Sequence, residues 1–322
     1  MKLYILLYLF NKLYIQKSKI YNENSKSHIY IKVAYNRIIK ILIGQFSENE
    51  SITKTKINKL NITDNMKDKL NEIIISKVKK SDELKIKEYT LFNKLSRIDG
   101  VGKKKASELI KLGINNINDL KKKKWYDLLN TTTRVHLKYS PLKKIPYNFI
   151  KSLEKYITSY TKNQVKLVGG YSRKKKNSKD IDLVFVNSSN PVYETKKIEI
   201  DKYIKYLEKY FDVIVYLRGG DKISLLIKLK TNYGNVLYKN INTKYVKMDI
   251  FITNENEKYF MILYGTGSKE FNIKMRGIAR RKGYILNQKY LMRSKDKKKI
   301  LVSSEKDIFD KLDMEYTIPE NR

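Results

Sequence analysis

Asp180 and Asp182 flank a single isoleucine at the start of the apolar run DIDLVFV. Alternate residues of a β-strand share a face, so this pair projects two carboxylates together, about 7 Å apart along the strand. A third carboxylate, Asp249, lies inside VKMDIFIT, where a charge in a half-buried strand is costly unless a cation compensates it. If the two strands are neighbours, three carboxylates converge. Hard oxygen ligands of this kind suit Mg²⁺, and paired ions can clamp the attacking and leaving oxygens of an in-line phosphoryl displacement. The reaction class indicated is nucleotidyl transfer. The plainer alternative is a strand-end turn with solvated edge charges.

The segment Gly169-Gly170-Tyr171-Ser172-Arg173 sits just ahead of the pair, directly after the strand-like VKLV. Glycines there let backbone N–H groups approach a triphosphate, and Arg173 can pair with it. The chain has no cysteine, and its histidines are His28 and His136. Disulfides, thiolate catalysis and thiolate zinc sites are thereby excluded, and a bound metal must rest on carboxylates.

The elements that must position these residues follow from periodicity. Residues 28 to 80 and 85 to 135 place apolar residues at helical spacing, as in Ile38, Ile41 and Leu42, which predicts two helical lobes. From residue 163 the pattern becomes VKLV, DIDLVFV, FDVIVYL, ISLLIKLK and VKMDIFIT, a sheet domain. Helical stretches FNIKMRGIARRKGYIL and SEKDIFDKL close the chain. At 322 residues several compact units are expected, since one core rarely grows past about 250 residues. The fold class expected is α+β.

Lys and Arg number 69 against 33 Asp and Glu, a formal charge of +36. Such a field attracts polyanions, with nucleic acid the leading partner. An anionic membrane surface could also take it, and an AT-rich genome would raise Lys, Ile, Asn and Tyr together. The opening LYILLYLF is an apolar run of eight residues broken by Asn11 and Lys12. A membrane span needs about 20 such residues, so this segment reads as a peripheral helix or strand in an intracellular protein.

Ile98-Asp99-Gly100-Val101-Gly102-Lys103-Lys104-Lys105-Ala106, followed by Leu112-Gly113-Ile114, has the form of a helix-hairpin-helix. Its glycines make a tight turn whose N–H groups can face a phosphate, and the flanking lysines add sequence-independent affinity for DNA. A packing corner with solvated lysines is the alternative.

Taken in order, Gly169-Gly170-x-Ser-Arg173, Asp180-Ile-Asp182, Lys247-Met-Asp249-Ile, Tyr264-Gly-Thr-Gly267-Ser268, Phe271-Asn272, Met275-Arg276 and Ser304-Glu-Lys-Asp-Ile-Phe309 resemble the family X DNA polymerases. Counterparts extend from about residue 30 to the end. The resemblance implies that Asp180, Asp182 and Asp249 hold two Mg²⁺, with Mn²⁺ as the alternative ion, and that Asp249 orients or deprotonates the primer 3′-hydroxyl. It implies that Gly170, Arg173 and Lys144 hold the triphosphate, that Tyr264 and Gly267 pack on the incoming sugar, and that Asn272 reaches the incoming base. Arg276 and Gln288 would meet the template, and Lys247 would contact DNA. Gly100, Val101, Gly102 and Lys105 would grip the DNA backbone, with a monovalent cation at the hairpin.

Lys69 falls where the family carries the Schiff-base lysine that removes a 5′-deoxyribose phosphate, with Tyr35 and Lys59 around the phosphate. That role needs a neutral amine, which crowding by cations favours. Three departures stand out. The family usually has serine where this chain has Gly170, removing one hydroxyl to phosphate. Its usual aromatic after Tyr264 is Gly265 here, which predicts looser exclusion of ribonucleotides. The stretch Leu60 to Leu70, aligned with the family's first hairpin, lacks both glycines.

The implied organisation is an extension over 1–25, a helical lyase-like lobe over 26–82, a helix-hairpin-helix lobe over 83–140, a nucleotidyltransferase palm over 141–255 and a nascent-pair-binding, thumb-like lobe over 256–322. The implied activity is template-directed filling of short gaps in base excision repair by a monomer, on gapped or nicked duplex with deoxynucleoside triphosphates and no membrane partner. A template-independent transferase and a non-catalytic DNA-binding protein are the alternatives. Cytoplasm, including that of a virus-infected cell, and nucleus are both expected compartments.

Overall fold

The computed structural model describes residues 1–21, 25–47, 50–76, 78–79, 82–142, 144–160, 164–187, 193–233, 241 and 244–322. The fold is α+β, and its contacts divide the chain into two compact units, Met1–Leu129 and Asn130–Arg322.

The first unit is helical: α1 (Leu3–Ser18), α2 (Lys26–Gln45), α3 (Lys54–Asn58), α4 (Asp64–Ile75), α5 (Glu83–Ser96), α6 (Lys103–Lys111) and α7 (Lys123–Tyr126). Rather than a peripheral extension, α1 is part of this core. Leu3, Leu6, Leu7 and Phe10 recur at i, i+3, i+4 and i+7 and are buried against Tyr35, Ile38 and Leu42 of α2 and Leu70 of α4. The start and the middle of α1 are tied down. The Met1 amino group donates to the Ile52 carbonyl at 3.0 Å, and Lys12 pairs with the buried Asp82 at 2.9 Å. Among the described residues no helix is long and apolar enough to cross a membrane.

The second unit contains α8 (Thr131–Tyr139), β1 (Ile145–Pro146), α9 (Tyr147–Thr158), β2 (Val165–Leu167), α10 (Gly169–Ser172), β3 (Asn177–Ser178), β4 (Ile181–Asn187), α11 (Tyr193–Leu207), β5 (Phe211–Arg218), β6 (Lys222–Leu229) and β7 (Val246–Asn254). It continues with α12 (Lys258–Thr266), α13 (Lys269–Arg281), β8 (Tyr284–Leu286), β9 (Leu291–Arg293), β10 (Lys299–Ile300) and α14 (Glu305–Asp310). Five strands form a mixed sheet in the order β2-β4-β7-β6-β5, with β4 and β7 parallel and the other pairs antiparallel. The sequence reading ends the second helical lobe at residue 140, but α8 sits on this sheet: His136 meets the Tyr216 ring at 5.1 Å and Tyr139 meets Tyr245 at 5.0 Å.

Strand alternation gives the sheet two unlike faces. Leu183, Phe185, Met248 and Ile250 pack against Phe149 and Leu153 of α9 and Tyr203 and Leu207 of α11. The opposite face carries Val184, Val186 and Phe251, covered by Met261 and Ile262 of α12. Apolar cover on that face stops where Asp182 and Asp249 begin, and this leaves the carboxylates at its open edge.

The last part of the chain is built around Phe260, Met275, Leu291 and Phe309. Arg322 fastens it. Its side chain is fully buried, its Nη1 donates to Glu305 Oε1 at 2.5 Å, and its guanidinium lies over Phe271, Phe309 and Tyr316 at 5.4, 5.1 and 5.5 Å. Removing one partner of a buried ion pair leaves the other uncompensated. Arg322→Ala is expected to lower unfolding stability by about 3 kcal/mol, measured by urea denaturation with intrinsic fluorescence; a loss under about 0.5 kcal/mol would assign the residue to the surface class.

Candidate active site

The register of β4 and β7 sets Asp182 directly beside Asp249, and Ser224 on β6 directly beside Asp249 on the other side. Paired residues of neighbouring strands share a face, so all three side chains point the same way. Asp180 precedes β4 by one residue, and oxygens of Asp180, Asp182 and Asp249 all lie within 4.8 Å of one another. The sequence reading that three carboxylates converge is what the sheet builds.

Like charges this close oppose one another. Burial and then the neighbouring Asp180 and Asp249 push Asp182 up to about 7. Asp180 is raised as well, by burial and then by Asp249, against the pull of Lys247, Lys222 and Lys179. Asp249 is held on both oxygens: Oδ1 accepts the Ser224 hydroxyl at 2.5 Å and Oδ2 accepts Lys222 Nζ at 2.8 Å. An ammonium thus stands on the third carboxylate in the position of a cation. Three oxygen donors with an electrostatic demand for positive charge fit a hard divalent ion.

Beside the carboxylates, β2 turns into α10. The Val168 N–H donates to the Asp182 carbonyl at 2.9 Å, which anchors the turn to β4. Gly169 has a φ of +68°, and a Cβ there would lie 2.9 Å from Asp182 Cβ, so glycine is required on both counts. Tyr171 supports the turn from behind, donating to Glu154 Oε2 at 2.8 Å and stacking on Tyr147 at 5.0 Å. The turn, Asp180 and Asp182 form one wall of a 620 Å³ cavity, with Gly170, Arg173 and Ser178; Tyr264, Gly267, Asn272 and Arg276 form the other. The walls are joined where Arg173 Nη1 donates to the Thr266 carbonyl.

Six nucleotide- and template-contact residues expected from sequence therefore share one cavity: Gly170, Arg173, Tyr264, Gly267, Asn272 and Arg276. Two are occupied with a third: Asn272 Nδ2 donates to the Tyr264 carbonyl at 2.9 Å, and the Arg276 guanidinium lies 5.7 Å from the Tyr264 ring centre. Lys247 lies two residues before Asp249 on the same strand. Lys144 is exposed just ahead of β1 and is not among the cavity residues. Gln288 is half-buried in the turn between β8 and β9, where its neighbour Lys289 pairs with Asp221 at 2.5 Å.

Gly265 lines the same cavity. A Cβ there would approach Val168 Cγ2 at 3.0 Å and Val184 Cγ2 at 3.7 Å, so the glycine also permits close packing of α12 on the sheet.

In the first unit the helix-hairpin-helix has its expected geometry. Gly100 has a φ of +83°, the Val101 N–H donates to the Ile98 carbonyl at 2.9 Å, and Gly102 caps α6. Val101 is buried as the peg between α5 and α6, and Lys105 pairs with Glu108 at 2.9 Å. Gly113, with a φ of +98°, ends α6 in a left-handed cap. Lys69 on α4 donates to Asn65, and burial and then Lys17 of α1 lower its proton affinity. Lys59 is exposed at the end of α3. Tyr35 is corrected from a DNA contact to a core residue. It is 3% exposed and stacks on Phe10 at 4.7 Å, because α1 covers that face.

Sequence reasoning missed Lys222, Ser224 and Ser178. A serine inside the apolar strand ISLLIKL was a usable signal, whereas its pairing with Asp249 depends on long-range register.

A family profile described as DNA polymerase beta thumb matches residues 261–322. The Repair DNA polymerase X of African swine fever virus is 26% identical over 155 residues, 48% of this chain and 79% of the viral protein. Polymerase beta of Leishmania infantum, solved as a ternary P/T complex, superposes with a TM-score of 0.59 at 26% identity, covering 73% of this chain and 99% of that one. These matches make the chain similar to the family X DNA polymerases. The DNA nucleotidylexotransferase of Xenopus laevis is 21% identical over 275 residues, and the chain spans 52% of that relative's length.

The carboxylate cluster generates a pH prediction. The folded chain keeps a proton on Asp182 up to about pH 7, whereas the ordinary carboxyl value is 3.8. Between those values the metal-free folded state binds more protons than the unfolded state, so its stability falls as pH rises through that window. Relative to Asp182→Asn, the metal-free protein is expected to lose Tm between pH 5 and 7.5, and Mg²⁺ to raise Tm more at pH 7.5 than at 5.5. An Mg²⁺ shift equal at both pH values in differential scanning fluorimetry would refute it.

Proposed function

We propose that this chain is a template-directed repair DNA polymerase that fills short gaps by nucleotidyl transfer and that carries a 5′-deoxyribose phosphate lyase activity on Lys69. The observation that carries the polymerase reading is the meeting of three elements: Asp180 and Asp182, clustered with Asp249, line one cavity with the glycine turn and Arg173 and with the helix bearing Asn272 and Arg276. Carboxylates alone would suit any phosphoryl transfer. Side chains suited to a base and a template strand, opposite a triphosphate turn, suit templated addition.

In this reading the triphosphate lies on the Gly169–Ser172 turn with its charge on Arg173, and Asn272 leaves the Tyr264 carbonyl for the edge of the incoming base. Two Mg²⁺ held by Asp180, Asp182 and Asp249 would supply stabilisation of the charge on the attacking and leaving oxygens. The primer 3′-oxygen attacks the α-phosphorus, the bond to the bridging oxygen breaks, pyrophosphate leaves, and the hydroxyl proton passes to an Asp249 oxygen. Ser224 fixes the carboxylate for that transfer, and Lys222 moves from Asp249 toward phosphate. Gapped or nicked duplex and deoxynucleoside triphosphates are the substrates, in an intracellular, monomeric enzyme. The hairpin at Gly100 to Lys105 grips backbone phosphate, so affinity falls with salt.

For the lyase step, the neutral Lys69 amine adds to C1′ of the abasic sugar and expels water as a Schiff base, and elimination then releases the 5′-phosphorylated strand. The lowered proton affinity of Lys69 supports this role.

Template-independent addition is the second reading, favoured by similarity to the frog nucleotidylexotransferase over 73% of this chain. On a one-nucleotide-gapped duplex with Mg²⁺, wild type is expected to insert the template-matched nucleotide. Asp249→Ala should lose at least about a thousandfold in rate, the scale of losing a group that acts only in the transition state. Addition regardless of template would establish the transferase instead, and no addition by wild type would leave DNA binding alone. Borohydride trapping on an incised abasic site, read by mass spectrometry, is expected to mark Lys69; trapping that persists in Lys69→Ala would remove the assignment.

A further inference from the structure

The first unit holds a cavity of its own, of 180 Å³, where α1, the end of α2 and α5 meet. Leu3, Tyr4 and Leu7 of α1 form one wall. Phe46, just past α2, and Tyr89 of α5 add two more aromatic rings. Tyr8 holds Tyr89 edge-on at 5.7 Å, and the Tyr8 hydroxyl donates to Asp82 Oδ1 at 3.2 Å, so this aromatic wall is fixed in place before a ligand arrives.

Tyr89 and Arg97 lie eight residues apart, which places them on one face of the α5 spiral, and both line the cavity. Burial pushes the Tyr89 hydroxyl up, with Asn93 and then Arg97 acting against it, so the guanidinium stands near the polar end of that ring. Arg97 is exposed and caps α5, one residue ahead of Ile98, whose carbonyl closes the hairpin turn on the Val101 N–H. The cavity is thus apolar and aromatic inside, with a cation at its mouth beside the proposed grip on backbone phosphate.

Sites for drug-sized ligands run to roughly 300–1,000 Å³, so this one admits about one ring system. The guanidinium asks for an anion attached to that ring. A nucleotide joins a planar ring to a phosphate, and a chain of net charge +36 draws nucleic acid to its surface. A base stacked inside a duplex is out of reach, whereas single-stranded DNA offers unstacked bases to aromatic side chains. We propose that this cavity binds one unstacked nucleotide of single-stranded DNA, with its base against Tyr4, Phe46 and Tyr89 and its phosphate on Arg97. Base stacking is then added to a hairpin grip that meets only the backbone. An aromatic residue of an acidic peptide has similar chemistry, and the neighbouring hairpin favours DNA over it.

The inference rests on the reading of the hairpin as a DNA grip, and its test separates the two. The full chain is irradiated with an oligonucleotide of 5-iododeoxyuridine, which couples to aromatic side chains stacked on it, and the attachment is located by mass spectrometry. Attachment to Tyr4, Phe46 or Tyr89 is expected. Equilibrium binding at one salt concentration then compares oligothymidylate with an abasic strand of the same length. Wild type is expected to prefer the bases by about tenfold, the scale of stacking one base. Tyr4→Ala should lose most of that preference and keep its affinity for the abasic strand. Arg97→Gln, at an exposed position, should weaken both strands alike and reduce the salt slope by about one. Attachment confined to residues outside the cavity, a wild-type preference near one, or a preference that persists in Tyr4→Ala would overturn the inference alone. Tight binding of an acidic phenylalanine-containing peptide, with no attachment of DNA in the cavity, would overturn it in favour of a protein partner. Failure of wild type to bind either strand would overturn the hairpin reading and this inference with it.

Discussion

Three carboxylates held within 4.8 Å of one another are the constraint on which the rest of the second unit depends. Burial and then their mutual repulsion raise Asp180 and Asp182, and a fold keeps such a cluster only if rigid elements hold it together. Parallel pairing of β4 with β7 does this, since the register that aligns Leu183 with Ile250 on the buried face also aligns Asp182 with Asp249 on the other. A slip of one residue would turn both aspartates into the core and the aliphatic residues outward. The apolar packing under α9 and α11 is therefore what fixes the charged face above it.

Positive charge around the cluster is graded. Lys222 sits on Asp249, Lys247 and Lys179 act on Asp180, and Arg173 with Lys222 acts on Asp182. Lys222 is 41% exposed and Lys179 is exposed, so these ammonium groups can give way to another cation, as the proposed reaction requires. The contrast within the same unit is Arg322, whose fully buried pair with Glu305 locks structure.

Much of this was legible in the chain. Strand alternation placed Asp180 and Asp182 on one face, and the apolar context of Asp249 marked a charge in need of a cation. The glycine spacing of Gly100, Val101 and Gly102 specified a turn whose φ of +83° at Gly100 needs glycine. What was not legible depended on contacts between segments distant in sequence. Ser224 is 25 residues from Asp249, and its role follows from β6–β7 register. Tyr35 read as a residue around the phosphate because its cover, Phe10 of α1, comes from a helix whose packing on α2 the sequence does not announce.

The covering of α2 by α1 also bears on Lys69. A catalytic amine must be neutral at working pH, and in a chain of net charge +36 the cheapest way to achieve this is to set other ammonium groups near it without pairing it to a carboxylate. Burial lowers Lys69 most, Lys17 on the last turn of α1 adds to it and Glu72 opposes it, while the hydrogen-bond partner of Lys69 is the neutral Asn65. The neighbouring Lys67 takes Asp64 at 3.1 Å, so that carboxylate is engaged away from the amine. In a chain where any single lysine is unremarkable, Lys17 thus adds to burial the electrostatic pressure that the proposed Schiff-base role of Lys69 calls for.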